Sequence, residues 1–106
     1  MAKHKFVEFL DSFQENLNFK DNLTDYEIGY RCATGSVNDV TDTYRTLFIN
    51  FTENAKETNL FVEDCINNII AVLESTLDNK TKDGDFNKGY KTKIQETIEK
   101  LKAYSE

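Results

Sequence analysis

Proline is missing from this chain, and glycine occurs only four times in its 106 residues. Small strand-rich domains need more turn punctuation than that, so the scarcity already leans the fold towards helices. The one histidine, His4, falls in the first turn of the first predicted helix. Helix ends fray, and a buried relay base has no support there, so a Cys–His or Ser–His nucleophile is not expected. Two cysteines, Cys32 and Cys65, stand far apart without a second pair. That fits neither a disulfide framework nor a zinc site, and both read as free thiols on apolar helix faces. No Glu-x-x-His pair of the di-iron bundle kind occurs, and Ala33-Thr34-Gly35-Ser36 lacks the further glycines and the lysine of a phosphate loop. Neither an enzyme, nor a metal, nor a cofactor is therefore expected.

Long hydrophobic runs are lacking too. None approaches the roughly 18 residues that span a bilayer, and the opening stretch turns acidic at Glu8 before a signal-peptide core could form. The expectation is a cytoplasmic protein with no membrane contact. Three Asn-x-Thr sequons, beginning at Asn22, Asn50 and Asn79, then read as coincidence in an asparagine-rich chain.

What the chain does have is helical periodicity and aromatic bulk. Apolar residues make up 39% and charged residues 30%, with eight Phe and five Tyr. That places it among globular chains, with size enough for one domain over residues 1–106 and a core burying roughly 65% of the unfolded surface. The strongest period runs from Asn59 to Leu77, where Val62, Cys65, Ile66, Ile69, Ile70, Leu73 and Leu77 recur at three- and four-residue steps. Leu60, Phe61 and Val72 widen this face, so it needs more than one neighbour and is expected to be the central helix.

A first helix is expected from Lys3 to Phe19 on Phe6, Phe9, Leu10, Phe13 and Leu17, with Glu8, Asp11 and Glu15 along its other side. Thr24 to Glu27 supplies a capping box, so a short second helix is expected to Thr34, ended by Gly35 as a C-terminal cap. A tight turn would lead to a third helix on Val37, Val40, Tyr44, Leu47, Phe48, Phe51 and Ala55. Leu47, Ile49 and Phe51 also alternate, so residues 43–51 could be a strand; with no evident partner strand, helix is preferred. A polar loop from Asp78 to Gly89 precedes a last helix on Tyr90, Ile94, Ile98, Leu101 and Tyr104. The fold class is thus all-α, a compact bundle of four long helices and one short one.

Asn79 to Tyr90 superficially resembles a calcium loop in placing Asp83, Gly84 and Phe86. Asn79 and Thr81 stand where ligands belong, however, and Tyr90 replaces the bidentate Glu, so calcium is rejected. Charge is uneven: residues 1–79 hold 6 basic and 14 acidic side chains, residues 80–106 hold 7 and 5. A duplex binder wants a concentrated positive field, so direct nucleic-acid binding is disfavoured. A basic patch of Lys80, Lys82, Lys88, Lys91 and Lys93 is the alternative site.

Apolar residues left over from the core mark the preferred site. Tyr26 and Tyr30 form a second stripe on the short helix, and Ile49 falls among Asp42, Arg45 and Glu53. Together with Glu8, Asp11 and Glu15 they would make a contact surface with aromatic anchors and an acidic surround. The function read from this is a small acidic intracellular protein-binding module that acts by occupying a protein partner, in the manner of an inhibitor, immunity protein, antitoxin or phage defence antagonist. The alternatives are sequestration of a small anionic ligand such as a nucleotide, and a structural subunit of a larger assembly, with self-association open.

Overall fold

A computed structural model describes residues 5–17, 21–52, 59–78 and 84–104. Among them the regular structure is helical throughout, as expected: α1 (Lys5–Asp11), α2 (Asp25–Thr52), α3 (Asn59–Leu77) and α4 (Asp85–Ala103). At about 1.5 Å per residue the 28 residues of α2 make a rod roughly 42 Å long, and this sets the long axis of a molecule measuring 48 × 26 × 20 Å.

The largest correction concerns α2. The short second helix and the third helix are one continuous helix, so the described residues form four helices rather than the expected five. Its start is as expected: the Glu27 amide donates to Thr24 Oγ1 at 3.1 Å, and Glu27 Oε1 accepts from the Thr24 amide at 3.3 Å. Gly35, however, does not cap anything. No glycine among the described residues lies in the left-handed region, and Gly35 sits mid-helix with Leu17 packed over it. A glycine inside a helix costs only about 1 kcal/mol, which the surrounding packing offsets. Residues 43–51 are helical, which settles their ambiguity.

Helix α1 is shorter than expected, ending at Asp11 rather than Phe19. Ser12, Phe13 and Gln14 close it with three-residue turns, after which residues 15–17 are not helical. The competing partner is α2. Asn38 accepts from the Glu15 amide at 3.1 Å and donates to the Glu15 carbonyl at 2.8 Å, while Gln14 Nε2 donates to Thr41 Oγ1 at 2.8 Å and to the Asn38 carbonyl at 3.1 Å. These bonds satisfy backbone groups that a longer helix would have satisfied internally.

Helix α3 has the boundaries its period predicts, and Val62, Ile69, Ile70 and Leu73 are buried along it. It is not the centre of the bundle. That place belongs to α2, which packs against α1, α3 and α4. The tightest approach is between α2 and α4, where Gly29 and Gly89 face the opposite backbone. A Cβ at Gly29 would overlap the Phe86 carbonyl oxygen, and one at Gly89 would overlap the Tyr26 carbonyl oxygen. Helix α4 begins at Asp85, so Phe86, Lys88 and Gly89 belong to the helix and not to the expected loop.

The buried side chains form one contiguous core. At one end it is aromatic: Phe6 meets Phe48 edge-on with centroids 4.9 Å apart and Tyr104 at 5.5 Å, while Phe9 meets Tyr104 at 4.4 Å and Phe13 at 5.0 Å. Such tilted pairs favour the ring quadrupoles. They clamp α1 and the C-terminal end of α4 to α2.

Candidate functional site

The start of α2, laid beside the segment that follows α1, encloses a cleft of about 330 Å³ lined by Glu15, Asn16, Leu17, Tyr26, Glu27, Tyr30, Arg31 and Thr34. It is not the largest concavity. A shallower one near Phe9 and Tyr104 reaches about 480 Å³. The first cleft joins Glu15, one of the three acids expected at the contact surface, with Tyr26 and Tyr30 of the surplus stripe. Among the described residues the exposed large apolar side chains are Leu17 at 42%, Tyr26 at 39% and Leu47 at 39%, and the first two line this cleft.

Helical spacing explains the α2 wall. Tyr26, Tyr30 and Thr34 are four residues apart, as are Glu27 and Arg31, so both series rise along the same side of the helix. Helix α4 holds two of the lining residues, Tyr30 and Glu15, in place. Tyr30 donates its hydroxyl to Glu96 Oε2 at 2.8 Å, and Lys93 Nζ lies 5.4 Å from the Tyr30 ring centroid and 2.7 Å from Glu15 Oε2. Beside it the Tyr90 and Ser36 hydroxyls meet at 3.0 Å. Lys93 is buried, and an ammonium held there needs the partner and the ring it has.

Burial is the first cause pushing the Tyr30 phenol up from 10.0 to about 12, followed by the hydrogen bond and charge of Glu96 and the charges of Glu15 and Tyr26. Tyr30 is therefore protonated at neutral pH and acts as a hydrogen-bond donor. Burial, and then the charge of Asp64, push the Cys65 thiol up as well, which makes it a poor nucleophile. Cys32 and Cys65 are free and half-buried.

The remaining candidates are dispersed. Glu8 is exposed on α1. Asp11 is ion-paired with Arg45 at 2.5 Å, and Glu15 has left the helix, so the three acids do not form one helical stripe. Ile49 is half-buried against the core. Of the basic patch, Lys88 is exposed, Lys91 half-buried and Lys93 buried in an ion pair, while Lys80 and Lys82 lie outside the described residues. His4, Ala55 and the start of the calcium-like stretch lie outside them too.

Sequence reasoning missed Leu17 and Arg31 as lining of this cleft and Glu96 as the partner of Tyr30, and it placed Lys93 in the basic patch rather than beside Glu15. Arg31 was detectable, being four residues beyond Glu27. Lys93 carried a weaker signal, since it shares a helical face with Tyr90 and Thr97. Among the described residues no group of three metal-ligating side chains occurs, and no helix is long and apolar enough to cross a membrane. No family model, curated protein or solved structure matches the chain.

Proposed function

We propose that this protein is a small acidic intracellular binding module, without enzymatic activity of its own, that works by occupying a protein partner through the Tyr26–Tyr30 cleft. The observation that carries the reading is the pairing of exposed apolar anchors, Leu17 and Tyr26, with the charged lining residues Glu15, Glu27 and Arg31. Interface centres are built this way, with aromatic anchors inside and charges at the edge. The net charge of −6 favours a partner with a basic surface, including one that otherwise holds nucleic acid.

Arg31 has no ion pair among the described residues, and that favours a second reading, sequestration of a small anionic ligand. The two are separated by binding kinetics on a partner captured from the native host. Tyr26→Ala is expected to raise the dissociation rate by roughly fivefold or more, the size of a modest hot spot, with circular dichroism unchanged. A captured partner that binds Tyr26→Ala and Tyr30→Ala normally rejects the cleft as the working face. A thermal shift with a nucleotide panel, absent in the first reading, supports the second.

A further inference from the structure

The cleft has an electrostatic preference. Glu15 and Glu27 line it and Glu96 lies at the Tyr30 hydroxyl, against Arg31 at the wall and Lys93 beneath. Glu15 and Lys93 neutralise each other, which leaves Glu27 and Glu96 against Arg31. The fold already holds one cation with the same equipment, since Lys93 lies between a carboxylate and the Tyr30 ring. Tyr26, one turn before Tyr30, is more exposed, and among the described residues no cation lies over its ring.

Resting on the protein-binding reading above, we propose that the cleft takes a lysine or arginine side chain of the partner, laid against Tyr26 with its charge towards Glu27 and Glu96. Three considerations support a cation over an anion. Tyrosine rings attract cations through their faces, and the hydroxyl of Tyr30 is already committed to a carboxylate. Burial is the first cause of the raised Tyr30 pKa, and beside it the Glu96 and Glu15 carboxylates oppose added negative charge. The whole chain carries net negative charge, which draws a basic partner and repels an anion. Arg31 is the opposing group, four residues along the helix from Glu27, and it sets up a discriminating variant.

The test is an NMR titration of the full chain with N-acetyl-arginine amide, using N-acetyl-norleucine amide and N-acetyl-glutamate amide as controls. The arginine probe is expected to shift amide signals from Tyr26 to Thr34 saturably, and the two controls are not. Tyr26→Ala and Glu27→Gln should each weaken the arginine probe by roughly threefold, the size of one exposed cation contact, whereas Arg31→Gln should strengthen it. Dispersed spectra of each variant confirm folding. Equal shifts from norleucine, stronger shifts from glutamate, loss of binding in Arg31→Gln or no saturable shift at all would each overturn the cation site. A partner that depends on Tyr26 while the probes show no cation preference sinks this inference and leaves the protein-binding reading intact. A cation preference in the probes with a partner indifferent to Tyr26 rejects both the cleft as the working face and the partner's side chain as its occupant.

Discussion

Lys93 Nζ meets Glu15 Oε2 at 2.7 Å, tying α4 to the segment after α1 across 78 residues of sequence. The two partners are not equivalent, because the lysine side chain is 9% exposed and the glutamate 52%. Removing the glutamate strands a buried ammonium, whereas removing the lysine leaves a carboxylate that water can reach.

Stability should follow that asymmetry. Glu15→Ala is expected to cost about 1–2 kcal/mol, less than a fully buried broken pair because Glu15 is half in water. Lys93→Met, which keeps the apolar stem, should cost less than Glu15→Ala. Urea melts of both variants check this, and a larger loss for Lys93→Met would show that the pair is not what holds the lysine.

The glycines make a sharper contrast. Gly29→Ala and Gly89→Ala force apart two backbones, so each should cost about 2–4 kcal/mol. Gly35→Ala meets only the end of the exposed Leu17 side chain, at 3.3 Å, and gains up to about 1 kcal/mol of helix propensity. It is expected to be neutral or stabilising by thermal melt. A marked loss at Gly35 would mean that the helix breaks there after all.

Tyr30 gives a pH dependence with a definite sign. Its folded pKa, about 12, lies above its ordinary 10.0, so between these values the folded state binds the proton more tightly and stability falls as pH rises. The contribution is whole below pH 10 and is lost on the way to 12. Tyr30→Phe should be less stable than the parent at pH 8, with the gap closing as pH climbs above 10. Urea midpoints of the two proteins at pH 8, 10 and 11 measure it; a gap that widens with pH refutes the assignment.

Cys65 should alkylate slowly at pH 8 in the native state and quickly once unfolded in urea, because burial disfavours its thiolate. Mass spectrometry after timed iodoacetamide treatment gives both rates. Native labelling as fast as that of the unfolded chain would place the thiol outside the α2–α3 groove that it lines with Tyr44, Leu47 and Phe61.

Parts of this architecture are readable from local pattern and parts are not. Helix α3 is readable to the residue because its apolar steps are unbroken between polar flanks. The break at Gly35 is a misreading with a clear cause: Ala33-Thr34-Gly35-Ser36 has the composition of a turn, but its small side chains serve close packing, with Ala33 fully buried and Ser36 touching Tyr90. The early end of α1 is invisible locally, since the groups that capture Gln14 and Glu15 lie 23 to 27 residues away. Tyr26 and Tyr30 are legible as a surplus stripe on their helix. Leu17 joins them only through a tertiary contact that no spacing encodes, and the spacing of Lys93 places it on the inner face of α4 without naming Glu15 as its partner.

Asn38 alone satisfies both backbone groups of Glu15, and residues 14–17 are exposed along their length. Releasing this clasp therefore uncovers little apolar surface, and its opening free energy should sit near the bottom of the range found within one molecule. Since the same residues wall the tyrosine cleft, an occupant and the clasp stabilise each other. Amide hydrogen exchange at Glu15 should be fast in the free protein, faster in Asn38→Ala, and slowed when the cleft is filled, while exchange in the middle of α3 stays unchanged.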